Sequence, residues 1–416
     1  MFTKAHLADL THLDSLVDNP LGSIAIPYVE ALNAQHYARY TIERYVNCVI
    51  HFGCWLNAED VGLQSINQAV IHRYLHDLLL VTSASAISSD SIKMDRAALK
   101  HLLTFLPQQY SVITKSPIEA ELERFTDYLL NICGMSPQTC VNRCQHVGAF
   151  LRHRFCSEAP VIAQITGADI DAFFQHMALR WRPASLEVVG ASLRSYLRFC
   201  ALQGEPTTVL SAFIPRIASW SPATLPKVLS DTQVDAFLKA FDCTYGVGMR
   251  DYAIARCLLD IGLRGHEVTY LKLDSVDWRN ATLTISSNKS KRVQQLPLPV
   301  STGQAIAQYL FKGRPLTSSR ILFVRHRAPF DQPLFVPAIR NAMNRAFTRC
   351  GLRNQFCNTH VLRSTTATRL QKAGASIKEI ADLLRHQSLD TAKTYARVDL
   401  ERLRAVALPW PGSSNF

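Results

Sequence analysis

The stretch HVLRSTTATRLQKAGASIKEIADLLRHQSLDTAKTY, residues 360–395, decides the reading of the whole chain. It opens on His360-Val361-Leu362-Arg363, which sets an imidazole and a guanidinium one helical turn apart on one face. It continues to Leu383-Leu384-Arg385-His386 and closes, nine residues after that second histidine, on Tyr395. Upstream, Asp260-Ile261-Gly262-Leu263-Arg264-Gly265-His266-Glu267 puts another arginine where one helix gives way to the next. Between these two regions Ala281 to Ser286 alternates as a strand, and Val293 to Leu298 reads as its hairpin partner. The polar turn joining them holds Lys289, Lys291 and Arg292. In chain order the candidate set is Arg264, Lys289, His360, Arg363, His386 and Tyr395.

Around that set the periodicity is mostly helical, over 231–241, 249–262, 264–272 and from Pro337 onward, with interruptions near 351–358 and 386–390. Ser230-Asp231-Thr232-Gln233 reads as a capping box opening the first of these helices. The fold class is therefore mainly α with a small antiparallel β-sheet in the C-terminal half.

A chain of 416 residues exceeds what one hydrophobic core serves, so two or three domains are expected. An apolar share of 48% with 19% charged residues excludes a disordered or fibrous chain. No apolar run reaches the roughly 20 residues that span a bilayer, and the acids near the start do not fit a signal peptide. A cytoplasmic location is expected. The 11 cysteines form no CxxC pair, which predicts reduced, mostly buried thiols. Cys140 with Cys144, and His72 with His76, have i,i+4 spacing but lack a second ligand pair, so no metal and no cofactor is expected. Residues 1–220 hold 17 basic and 19 acidic side chains, whereas residues 221–416 hold 28 and 14. A basic second half rich in arginine points to a polyanion, and nucleic acid fits better than a membrane surface.

The clearest linker is 216–227, which includes Pro222 and Pro226; a softer boundary runs from Leu106-Pro107 to Pro117. The first half reads as a diverged repeat. The Thr-started helix at Thr41 matches that at Thr139 at an offset of 98, and Ile66–Ile71 matches Ile165–Ile170 at 99. Ala98–Phe105 matches Ser192–Phe199 at 94. The expected organisation is a helical module over 1–110, a second over 115–215, a domain over 228–408 and a tail over 409–416.

Together these motifs resemble the tyrosine recombinases of the phage integrase family. The resemblance rests on Gly262-Leu263-Arg264 with Glu267, Lys289 eight residues before Pro297, His360-x-x-Arg363, and His386 with Tyr395. It implies helical core-binding (SAM-like) modules followed by the DNA breaking-rejoining catalytic fold. The module at 115–215 then corresponds to the core-binding clamp, and that at 1–110 to an extra copy outside the family's usual plan. The implied roles are Tyr395 as nucleophile forming a 3′-phosphotyrosine, Arg264 and Arg363 as forks on the phosphate, and Lys289 as general acid. His360 would assist proton transfer, His386 would hydrogen-bond the phosphate, and Glu267 would orient Arg264. The implied partners are double-stranded DNA with inverted half-sites and a homotetramer on two duplexes, with room for a second recombinase or an accessory protein. Two departures stand out: Arg385 where the family commonly has glycine, and Gly265-His266 between Arg264 and Glu267.

Other basic residues are candidate contacts to DNA backbone: Lys291, Arg292, Arg320, Arg325, His326, Arg327, Arg340, Arg345 and Arg349. Residues 399–406 read as an amphipathic helix before Trp410, suited to docking on a neighbouring protomer in such a family. Two rival functions share much of this pattern. One is a type IB topoisomerase relaxing DNA as a monomer, and the other is a catalytically idle accessory DNA-binding protein.

Overall fold

A computed structural model of the chain describes residues 19–82, 89–106, 116–156, 158–217, 227–286 and 293–385. The chain divides into two compact units, one of residues 111–223 and one of residues 1–110 with 224–416. Among the described residues, three large apolar cores lie within these units, spanning Leu21–Leu106, Ile118–Ile214 and Leu229–Leu362.

The first core is enclosed by helices α1 (Gly22–Ala34), α2 (Arg39–Ala58), α3 (Gln68–Thr82) and α4 (Ser89–Phe105), with a 3₁₀ turn at Leu63–Ser65. Tyr28 and Phe52 are fully buried at its centre. The Tyr28 hydroxyl lies 3.1 Å from His101 Nδ1, so the polar tip of a buried ring has a partner.

The second core lies among α5 (Pro117–Asp127), α6 (Pro137–Phe155), α7 (Gly167–Ala178) and α8 (Pro183–Leu202), with a 3₁₀ turn at Ile162–Gln164. Phe125, Phe150, Phe173 and Tyr196 fill it. The Tyr196 hydroxyl donates to Glu121 Oε1 at 3.0 Å, and Arg124 donates to the other carboxylate oxygen at 2.8 Å.

The two helical groups run through the same series of elements. In chain order Arg39 corresponds to Pro137, Leu63 to Ile162, Gln68 to Gly167 and Ser89 to Pro183 as first residues of helix, 3₁₀ turn, helix and helix. Thr41 and Thr139 do not start their helices, however. Each lies in the first turn, and in the second group Ser136 is the cap, accepting from Thr139 N at 3.3 Å.

In the C-terminal part α9 (Asp231–Lys239) opens on the expected box: Ser230 Oγ accepts from Gln233 N at 3.2 Å, and Gln233 Oε1 accepts from Ser230 N at 3.0 Å. Helix α10 (Gly246–Asp260) runs through the core. The periodic pattern of 264–272 yields only the short α11 (Gly265–Thr269). After it the backbone leaves the helix to pair with 320–322: Leu322 N donates to Leu271 O at 2.8 Å, and Leu273 N donates to Arg320 O at 2.9 Å.

The sheet has order β1-β2-β3 and is antiparallel throughout. Strands β2 (Thr282–Ser286) and β3 (Val293–Pro297) form the predicted hairpin, from Thr282 opposite Pro297 to Ser286 opposite Val293. The two-residue β1 (Val276–Asp277), absent from the sequence reading, pairs on the free edge of β2. Helices α12 (Val300–Gln308), α13 (Val336–Arg349), α14 (His360–Lys372) and α15 (Ile377–Leu383) complete the fold.

Helix α14 is expected from the sequence, but its buried face is not. It buries a polar run, Arg363 to Thr366, together with Thr368 and Gln371. Its hydroxyls turn inward: Thr365 Oγ1 donates to Val361 O at 2.8 Å and accepts from Leu229 N at 2.9 Å. Thr366 Oγ1 shares its one proton between Leu362 O and Leu259 O of α10. Thr365 and Thr366 are satisfied in this way, whereas Thr368 Oγ1 and Gln371 Oε1 have no hydrogen-bond partner among the described residues. No helix among the described residues is long and apolar enough to cross a membrane.

Candidate active site

The site is built where the end of α10 meets the turn after α15. Gly262 has φ +66°, and a Cβ there would lie 2.5 Å from Leu384 Cδ2, so both the backbone conformation and the close approach require glycine. This approach brings two carbonyls, those of Gly262 and Leu384, to face the same point. Arg363 of α14 reaches that point with its side chain buried, donating Nη1 to Gly262 O and Nη2 to Leu384 O. A buried guanidinium satisfied by loop carbonyls clamps the two loops in one geometry.

Arg264 stands two residues beyond Gly262, at the N-cap of α11. Its backbone N–H donates to Glu267 Oε2 at 2.7 Å and its Nη1 to Glu267 Oε1 at 3.0 Å. Nη2 donates to the carbonyl of Arg385 at 3.1 Å. Its side chain is 36% exposed, against 4% for that of Glu267. Arg385 supplies a second guanidinium to the same carboxylate, Nη2 to Glu267 Oε2 at 2.8 Å, and its side chain is 7% exposed. Nη1 of Arg385 donates to Leu383 O at 2.9 Å. The turn at Arg385 is left-handed, with φ +56°, a conformation that costs an L-residue about 1–2 kcal/mol.

The charges shape one another. Burial pushes the Glu267 carboxyl up, but Arg385, the Arg264 backbone N–H and the Arg264 guanidinium outweigh it and hold the group below its ordinary value. Burial likewise draws the Arg385 guanidinium down, opposed by Glu267. His360 begins α14 with part of its ring open to solvent, and partial burial, then Arg363 and Arg264, lower its pKa. Such an imidazole is neutral at neutral pH and able to accept a proton.

The structure thus joins Arg264, Glu267 and Arg363 through one loop pair, with His360 within electrostatic reach of both arginines. Lys289, Lys291, Arg292, His386 and Tyr395, and the helix read over 399–406, lie outside the described residues. Among the other cations, Arg345 is ion-paired with Asp251 at 3.4 Å and Arg320 with Asp274. Arg325 donates to Gln332 Oε1 at 3.0 Å, while Arg327, Arg340 and Arg349 are exposed. His326 is uncharged at neutral pH. It packs beside Tyr309, and burial, then Arg250, brings its pKa down to about 4, so it carries no charge for a phosphate at neutral pH. The sequence reading also missed the part played by Arg385. Its only signal was that an arginine replaced an expected glycine directly before His386. Among the described residues no three His, Cys, Asp or Glu side chains gather as a metal-ligating group.

A mainly helical catalytic part with a three-stranded antiparallel sheet is the fold of the tyrosine recombinases, and solved structures share it. The XerH site-specific recombinase bound to palindromic difH substrate superimposes with a TM-score of 0.55 at 16% identity, covering 74% of this chain and 92% of that one. A lambda integrase dimer bound to a COC′ core site gives 0.52 at 18% identity, covering 72% and 86%. A lambda integrase tetramer bound to a Holliday junction gives 0.52 at 19%, covering 74% and 87%.

The family model of the phage integrase family matches residues 227–402. The provisionally named integrase/recombinase y4rA of Sinorhizobium fredii is 31% identical over 405 residues, covering 96% of each chain. Tyrosine recombinase XerD of Yersinia pestis is 30% identical over 201 residues, covering 48% of this chain and 65% of its own. The chain belongs to the phage integrase family and is a tyrosine-type site-specific recombinase.

Proposed function

We propose that this recombinase cuts and rejoins DNA through Tyr395, without a metal, by a covalent 3′-phosphotyrosine. The Tyr395 hydroxyl oxygen attacks the scissile phosphorus and a P–O bond to tyrosine forms as the P–O5′ bond breaks. The phenolic proton passes to His360, and Lys289 protonates the departing 5′ oxygen. The 5′-hydroxyl of a second strand reverses both bonds, so the phosphodiester is remade with no outside energy. Arg264 and Arg363 supply positive charge and N–H donors to the non-bridging oxygens as charge builds there, and His386 adds a hydrogen bond. Glu267 orients Arg264.

The observation that carries this reading is the meeting of Arg264 and Arg363 on one loop pair, Gly262 with Leu384–Arg385, immediately before His386. On DNA the helical modules at 1–110 and 115–215 act as tandem clamps, and the domain at 228–408 carries the catalysis. The protein assembles as a tetramer on two duplexes with inverted half-sites, in the manner of the relatives whose structures hold palindromic DNA or a Holliday junction. Lys291, Arg292, Arg325, Arg327, Arg340 and Arg345 contact DNA backbone in this reading.

The test is strand exchange between two labelled duplexes taken from DNA flanking the gene, in EDTA. Wild type is expected to give recombinant strands, and Arg264→Ala and Arg363→Ala none. Plasmid relaxation without recombinants would replace this reading with a topoisomerase. Specific binding with neither activity would replace it with an accessory DNA-binding protein.

A further inference from the structure

Glu267 is almost fully buried, and a buried carboxylate demands a counter-charge. It has two, Arg264 and Arg385, and they differ in what else they can do. Arg264 keeps 36% of its side chain at the surface, whereas Arg385 is enclosed. Arg385 also sits at φ +56°, a backbone position that glycine fills without strain, so its presence there is explained by its side chain and not by the turn. The residue does two things. Its side chain donates to Glu267, and its carbonyl receives Arg264 Nη2 at 3.1 Å.

We propose that Arg385 is a positioning residue that balances the Glu267 charge so that Arg264 can commit its guanidinium to the scissile phosphate. The proposal rests on the reading of Arg264 as a phosphate contact. Were Arg264 the sole counter-ion, turning it toward the phosphate would strand a buried negative charge, and the carboxylate would hold it back. With Arg385 in place the carboxylate stays paired when Arg264 moves. The Glu267 and Arg385 pair then stands neutral behind Arg264, whose full positive charge faces the substrate.

The test uses full-length protein carrying Arg385→Gly, Arg385→Lys, Glu267→Gln and the double variant Glu267→Gln/Arg385→Gly. Glycine suits φ +56°, so the first variant keeps the turn, and its thermal melt checks folding. Single-turnover adduct formation on a nicked duplex from the flanking DNA is measured beside duplex affinity by fluorescence anisotropy. Arg385→Gly is expected to slow cleavage about 10–100-fold, the range for residues supporting a direct ligand, while affinity stays nearly unchanged. Arg385→Lys recovers part of the rate because it returns the charge. In the Glu267→Gln background, where no charge needs balancing, Arg385→Gly has little further effect.

Equal slowing by Arg385→Gly in both backgrounds would make Arg385 a mere staple between loops and overturn the proposal. So would an unchanged rate in Arg385→Gly. Arg264→Ala separates the two levels. Loss of cleavage there with a fully active Arg385→Gly defeats the proposal alone, whereas normal cleavage by Arg264→Ala defeats the reading beneath it and the proposal with it.

Discussion

Gly262→Ala tests the geometry that holds the site together. Two penalties add at this residue. The left-handed conformation at φ +66° costs an alanine about 1–2 kcal/mol. The new methyl would stand 2.5 Å from Leu384 Cδ2, inside any real contact distance, and such overpacking costs about 1–3 kcal/mol. The expected loss is therefore about 2–5 kcal/mol, a large part of the roughly 5–15 kcal/mol that holds a domain folded. Leu384 is itself fully buried, so Leu384→Ala alone should cost about 2–5 kcal/mol through the cavity it leaves. In the double variant Gly262→Ala/Leu384→Ala the added methyl enters that cavity and the clash disappears, while the backbone penalty stays. The two changes should couple favourably by about 1–3 kcal/mol, the overpacking share. Urea unfolding read by pulsed hydrogen exchange in peptides covering 252–272 isolates this part of the chain from the helical modules. Strict additivity, or a loss below about 1 kcal/mol in Gly262→Ala, would refute the close approach of the two loops.

Four further outcomes follow from the electrostatics. Glu267→Ala leaves two arginines facing one another in a buried site and should lower stability by about 3–5 kcal/mol, less as far as exposure of Arg264 screens it. Because the folded carboxyl lies below its ordinary value, Glu267 stabilises the fold above the unfolded pKa near 4.5, and that part is lost as pH falls through the folded value. Acid unfolding of wild type against Glu267→Gln measures it, and identical acid limbs would contradict the pairing. His326, with its pKa near 4, should stay neutral at pH 5.5. The fold prefers its neutral form, so its stabilising effect is complete above about 6.5 and fades as pH drops toward 4. Histidine hydrogen–deuterium exchange by mass spectrometry reads this, and a midpoint near 6.5 would show His326 to be solvated. For His360 the lowered pKa predicts cleavage that persists below pH 6.5 and then declines on an acidic limb that His360→Asn removes. A pH profile unchanged in that variant would end its role as proton acceptor.

Much of this was legible because the chemistry is local in sequence. Gly262-Leu263-Arg264 and His360-x-x-Arg363 lie at helix ends, where spacing alone sets which groups share a face. The hairpin showed through its alternation, and the α9 start through Ser230 and Gln233. What escaped was set by distant packing. Strand β1 is two residues long and exists only because β2 offers an edge. The pattern over 264–272 was truncated because Leu271 bonds to Leu322, far along the chain. Helix α14 hides Thr365 and Thr366 inside through bonds to carbonyls of α10 and of its own preceding turn, a solution no hydrophobic period records. Arg385 looked like a local irregularity. Its meaning comes from Glu267, more than a hundred residues earlier.

The central claim is that Tyr395 attacks the scissile phosphate. It is tested most directly by digesting the SDS-stable adduct formed on a nicked duplex in EDTA and locating the nucleotide-bearing peptide by mass spectrometry, with Tyr395→Phe alongside. The account predicts a 3′-nucleotide mass on the peptide containing Tyr395, and no adduct in the phenylalanine variant. An adduct on any other residue, or one that survives Tyr395→Phe, would contradict it.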